Sequence, residues 1–336
     1  MDPLSMTAIR ELLFQVTLAL SGVVLGILTL FLAAYLAGAA ASKIRARTRK
    51  RVLHLLYGYL LEETPLRRLE LRRRHRPVAV EGFGFVIASI TGRLQERMQR
   101  AFQALGLLEP LLDWLESPLR GRRMRACYLL GLIKSGGVVG LARALVDRDA
   151  RVVSAAVIAL GEIGYPSTVP TLLDLFSRCS YPHAWLIAAV LPSFGREASP
   201  YLKPFLQPGR LQPEKLVLLL KVAADFKAAE SLEELDRIYR TSGNLDVRIS
   251  ALNAIGKIND LAAVKTMFDA LHGDQWELRA AACRIVGEMS LKGAVHRLLP
   301  LITDRSWHVR RNAVIALASL GRLGVTALVS SLDTDD

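Results

Sequence analysis

This chain of 336 residues holds only three cysteines, Cys127, Cys179 and Cys283. An odd number with no metal-ligand spacing excludes a disulfide framework and a zinc site, and a reducing compartment fits that usage. Aromatic residues are scarce at 7%, while 51% of the chain is apolar and 22% charged. A sheet protein would call for more β-branched and aromatic positions, and no strand-helix-strand rhythm is visible. The six histidines, His54, His75, His183, His272, His296 and His308, never pair at ligand spacing. A phosphate-cradling glycine loop, a nucleophile elbow and a metal motif are all missing. No catalytic, cofactor-binding or metal residue is therefore expected, and no cofactor. Disorder is excluded as well, because so apolar a chain can bury a large core.

What the chain does have is a repeat. Val247 to Ile258 reads VRISALNAIGKI, and versions of it recur from the middle of the protein to its end. With Gly256 as reference, the equivalent positions are Gly131, Gly161, Pro192, Ala224, Gly256, Gly287 and Ala318, separated by 30, 31, 32, 32, 31 and 31 residues. So regular a period marks a stacked array. Each copy pairs an apolar helix with a turn and a shorter second helix. The second helices are expected at 138–146, 168–176, 200–206, 232–240, 261–271, 294–302 and 325–332. Neither helix of a pair can cover its apolar face alone, so the pairs must stack. Cys127 and Cys283 fall four residues before the reference, in a column otherwise filled by Val157, Ala188, Leu220, Leu252 and Val314. They read as small buried core residues.

The array resembles the HEAT-like repeats of the phycobilisome-lyase type. The resemblance rests on Asp246-Val247-Arg248, on Asp274 with Leu278-Arg279, and on Asp304 with Val309-Arg310. It covers about two-thirds of the chain and implies an α-solenoid of about seven repeats. It also implies a ladder in which the Asp and Arg columns bond between neighbouring repeats, through Asp246, Arg248, Asp274, Arg279, Asp304 and Arg310. Arg123 keeps the Arg column, whereas Val153 and Ala184 depart from it. Fold does not carry function here, since such arrays host many roles. HEAT-like deoxyhypusine hydroxylases hold their iron on His-Glu pairs, and this chain has no such pair.

Ahead of the array, Leu12 to Ser42 is a run of 31 residues without a formal charge, longer than the roughly 20 that span a bilayer core. A secretory signal is the competing reading, with Ala37-Gly38-Ala39-Ala40-Ala41 as a cleavage site. The run is too long for a signal core, however, and only Arg10 leads it. A single uncleaved transmembrane helix over residues 1–42 is the expectation. Lys43, Arg45, Arg47, Arg49, Lys50 and Arg51 crowd its C-terminal flank, which orients the N-terminus outside and the array in the cytoplasm of a bacterial inner membrane. Gly22 and Gly26 form a GxxxG pair through which two copies would make a homodimer. Arg outnumbers Lys 34 to 10, the usage of a GC-rich bacterial source.

Of the net charge of +13, residues 43–125 carry +11. Two clusters dominate, Lys43 to Arg51 and the group Arg67, Arg68, Arg72, Arg73, Arg74 and Arg76. Both are expected to touch anionic lipid headgroups. Nucleic acid is the weaker reading, as no recognition motif accompanies the charge. Val52 to Leu61 is apolar enough to lie in the interface. Val78 to Gly92 leaves a strand hairpin, a re-entrant piece and a buried loop all open. The chain thus divides into an anchor (1–42), a basic juxtamembrane segment (43–92), a degenerate capping repeat (93–119) and the array (120–336).

Tyr181, Trp276 and Trp307 stand eleven residues before the reference position. They are candidates for an aromatic ridge that binds a partner, with staples at the starts of the first helices as the structural alternative. Six prolines between Pro182 and Pro213 mark a locally irregular repeat, or a bend that a partner uses. The composite expectation is a membrane-anchored, non-catalytic scaffold for a membrane-associated protein partner, of the kind that serves envelope glycan synthesis or transport. An enzyme of the HEAT-like kind, a lyase or a nucleic-acid enzyme, is the alternative.

Overall fold

The computed structural model describes residues 3–61, 75–134 and 136–332. Helices make up almost all of it, and the described residues contain no strand. Contacts divide the chain into two compact units, residues 1–111 and 112–336.

The first unit is built on α1 (Pro3–Leu60), a single helix of 58 residues, about 87 Å long at 1.5 Å per residue. Its most apolar 18-residue window has a mean hydropathy of 2.3, and none of that window is buried. Further along, the same helix turns amphipathic. Val52, Leu56, Tyr59 and Leu60 are buried, packed with α2 (Arg76–Ile87) and α3 (Arg93–Ala104). Residues 78–92, left open between hairpin, re-entrant piece and loop, form most of α2 and the turn after it. Pro77 sits in the first turn of α2, where its missing N–H costs nothing. Ala79, Val80, Phe83, Val86 and Ile87 then give α2 a face to bury. Phe83 meets Phe102 of α3 edge to face, with ring centroids 5.5 Å apart. The apolar side of Val52 to Leu61 is thus spent on α2 and α3 rather than on a membrane surface. Since α3 belongs to this bundle, the contact boundary falls at 111/112 and cuts through the segment expected to cap the array.

The second unit is the array. Its first helices are α5 (Arg120–Ile133), α7 (Ala150–Ile163), α9 (Tyr181–Val190), α10 (Pro213–Phe226), α12 (Leu245–Ile258), α14 (Trp276–Glu288) and α16 (Trp307–Ser319). The second helices are α6 (Val138–Ala144), α8 (Val169–Arg178), α11 (Leu232–Thr241), α13 (Leu261–Leu271), α15 (Val295–Leu298) and α17 (Arg322–Leu332), preceded by α4 (Leu108–Leu115). In the proline-rich repeat the second helix is replaced by a 3-10 helix, Arg196–Leu206, with Pro200 and Pro204 inside it. Proline cannot donate to an α ladder, so the tighter winding takes over.

Two columns explain the regularity. At the reference position, an added Cβ on Gly131 would lie 3.0 Å from the Ala159 Cα, and one on Gly287 would lie 2.9 Å from the Ala316 Cα. Successive first helices there touch backbone to backbone, which is why the column is small. Three residues later stand Lys134, Gly164, Gly195, Lys227, Asn259, Ser290 and Gly321, and every one has positive φ, between 52° and 72°. A residue of positive φ ends each helix there and turns the chain back. Seven of these, one per repeat, set the rhythm.

Candidate functional site

Two sets of side chains in the array invite a functional reading: the charged rungs between repeats and the aromatic residues at the starts of α14 and α16. Arg279 donates from Nε to Asp304 Oδ2 at 2.8 Å and from Nη2 to Oδ1 at 3.0 Å, while Nη1 donates to the carbonyls of Gly273 and Asp274. Arg123 repeats this geometry on Asp147, at 2.7 and 3.0 Å, with the carbonyls of Ser117 and Pro118. Each carboxylate also accepts from the N–H two residues on, Asp149 in one case and Ser306 in the other. One guanidinium therefore ties two loops to its own helix through a planar fork. At Asp304 the Arg279 hydrogen bonds lead in holding the carboxyl below its usual 3.8. At Asp147 burial pushes the other way, yet the Arg123 and backbone hydrogen bonds prevail and the pKa is again lowered.

The ladder differs from the expected one. Arg248 donates to the Tyr239 carbonyl and to Gln275 Oε1 rather than to an Asp. Arg310 donates to the main-chain carbonyls of Asp304 and Arg305. Asp274 contributes its main-chain carbonyl, and Asp246, in the first turn of α12, holds no rung among the described residues. The operative acid lies 24 or 25 residues after its Arg, just ahead of the next first helix. That column contains Asp147, which the family-style pattern passed over. The recurring Asp147-Arg148-Asp149 and Asp304-Arg305-Ser306 would have marked it. Cys127 and Cys283 are buried four residues after Arg123 and Arg279, and burial pushes both thiols up to about 12. They are core residues without nucleophilic character.

Trp276 and Trp307, 40% and 57% exposed, come together through His308. The His308 ring stacks on Trp276 with centroids 5.0 Å apart and meets Trp307 edge to face at 5.2 Å. Arg311 lies 5.7 Å from the Trp307 ring centre. Trp276 is thus part staple, clipping one repeat to the next, whereas Trp307 projects further into solvent. Tyr181 is exposed too, but Pro213 and Leu245 occupy the same place in the two repeats between it and Trp276, so it stands outside this cluster. His308 escaped notice in the sequence because stacking across repeats depends on their spacing in space. A separate open groove of about 710 Å³ lies among Leu112, Leu115, Val138, Val139, Gly140 and Tyr165.

In the first unit, Lys43, Arg47, Arg49, Lys50 and Arg51 lie on α1 within three turns of Ser42, and Arg45 belongs to the same stretch of helix. At about 100° per residue these positions spread round the helix and form a collar rather than a stripe. Arg76 pairs with Glu109 at 3.2 Å, which makes it a structural residue. Arg67, Arg68, Arg72, Arg73 and Arg74 lie outside the described residues.

Residues 108–190 and 264–336 match the family described as HEAT repeats. No curated protein matches the chain. Among solved structures, the complex of CpcE and CpcF of phycocyanin lyase from Nostoc sp. PCC7120 is 18% identical, over 66% of this chain and 92% of that one, with a TM-score of 0.35. An engineered protein is 16% identical over 87% and 91%, with a TM-score of 0.39. Kap121p is 13% identical over 79% of this chain and 36% of its own, with a TM-score of 0.48.

Proposed function

We propose, from the premise that this chain is a HEAT-like repeat protein, that it is a non-catalytic scaffold held in a bacterial inner membrane by α1, with the array in the cytoplasm. One observation carries the reading. The uncharged run forms a helix whose apolar side chains, from Leu18 to Leu36, are exposed wherever they are described. A bilayer is the solvent that such a surface fits. The collar follows at once, in place to meet anionic headgroups and to keep that end on the cytoplasmic side. Gly22 and Gly26 have nothing within 4 Å, so the face through which a second copy would pack stays open.

The array then supplies the binding surface. Trp276, His308, Trp307 and Arg311 make a patch of the composition favoured at protein interfaces. Its partner is membrane-associated, because tethering concentrates the array among membrane proteins. An envelope glycan-synthesis or transport assembly is the class of machine proposed. A photo-crosslinker at position 307 in cells is expected to give a discrete heavier adduct, lost when residues 1–42 are removed, while one at position 128 gives none. An adduct that persists without residues 1–42, or the absence of any adduct at 307, would refute the reading. Protease added to spheroplasts should spare the array; digestion would reverse the orientation.

A further inference from the structure

In the first unit α2 runs antiparallel to α1, and side-chain contacts fix the register. A Cβ on Gly82 would lie 3.4 Å from Val52 Cγ1, and the Phe85 ring lies 5.9 Å from the Arg49 guanidinium. Three residues forward on α2 correspond to about three residues back on α1. Continued just past the end of α2, this register brings Ala88 to Ile90 beside residues 44–46 of α1. That level is about 6 Å or less beyond Ser42 along the helix axis. With Lys43 at the phosphates, the turn between α2 and α3 sits inside the headgroup layer, which adds roughly 5 to 8 Å to each side of the hydrocarbon core.

The composition of the turn agrees with that depth. From Gly82 to Gly92 no residue carries a formal charge, unlike an ordinary solvent-facing loop. Phe85 is 55% exposed, Leu94 is exposed at the start of α3, and Ile90 is partly exposed between them. An aromatic and two aliphatic side chains thus ring a small uncharged tip beside a basic collar, the pairing of apolar body and cationic flank that suits a lipid interface.

We propose that the α2–α3 turn, through Phe85, Ile90 and Leu94, is a second membrane contact that inserts shallowly into the anionic lipid surface beside α1. It rests on the anchor reading and adds that the bundle lies down on the bilayer instead of standing off it. Two contacts out of line fix the tilt of the bundle, where one helix alone leaves it free.

The test uses the full chain in vesicles of phosphatidylcholine and phosphatidylglycerol. An environment-sensitive fluorophore is attached to a single introduced cysteine at Ile90→Cys, Leu28→Cys or Tyr128→Cys, all in Cys179→Ser. Cys127 and Cys283 are buried and stay unlabelled. Nitroxides near the headgroup should quench the label at 90, nitroxides deep in the acyl chains should quench the label at 28, and neither should quench 128. Quenching at 28 with none at 90 would overturn the second contact and leave the anchor standing. Loss of quenching at 28 would defeat the anchor reading and this proposal with it, whatever happens at 90. Equal quenching at 90 and 128 would mean indiscriminate adsorption, and would also overturn the proposal.

Discussion

Leu28 on α1 is 60% exposed, whereas Leu252 in the array is completely buried. The residue type and the helix are the same, and the difference lies in what covers them. In the array each first helix is covered by the next, with glycines at the reference position letting backbones touch. Along the first half of α1 no described residue plays that part. The comparison teaches that apolar helical sequence comes in two kinds here, one completed by its neighbours and one left uncovered among the described residues, which the proposal gives to a bilayer.

Placing charge on each kind should break the comparison most sharply. Leu25→Arg with Leu28→Arg costs about 2.5 to 3.5 kcal/mol per residue at the centre of a bilayer, and should move the full chain out of the membrane fraction. In the array the largest loss follows removal of a rung. Arg279→Ala strands the Asp304 carboxylate and should lower stability by about 3 kcal/mol in urea denaturation. Arg248→Ala, whose partners are neutral, should cost about 1 kcal/mol. Acid should act on the same bond. The Asp304 pKa is lowered from 3.8, so its contribution is full above that value and is lost as pH falls through it toward the lower folded pKa. Arg279→Ala should flatten that acid limb.

The glycines sharpen the contrast. Gly287→Val drives a branched side chain into the Ala316 backbone and should cost about 2 kcal/mol. Gly22→Val, with open space around it, should leave unfolding of the array unchanged. Next in size is a gain: Lys227 holds φ at 52°, and Lys227→Gly should stabilise by about 1 kcal/mol. Trp307→Ala removes an exposed ring and should change stability by about 0.5 kcal/mol or less, while abolishing the adduct from a crosslinker at the neighbouring position 311.

Much of the array was legible because a repeat multiplies each weak signal by seven. The helix pairs fall where the period puts them, and the proline-rich repeat shows its irregularity. The rungs were half legible. Arg123 and Arg279 stand in the expected column and Asp304 is a ladder acid as expected, but the acid lies in the following repeat at an offset that stacking sets, so the pattern marks Asp246 and Asp274, which supply no carboxylate rung, and misses Asp147. The Trp276 and His308 stack was invisible for the same reason. Residues 78–92 failed differently. Gly82 and Gly84 argue against a helix locally, and tertiary packing on Val52 and Leu56 overrides them.

The central claim is that α1 spans a membrane and carries the array on it. Membranes from cells producing the full chain, washed in alkaline carbonate, test it most directly. Retention of the chain in the pellet, with release only by detergent, is the result the account predicts; release of the full chain by carbonate alone would contradict it.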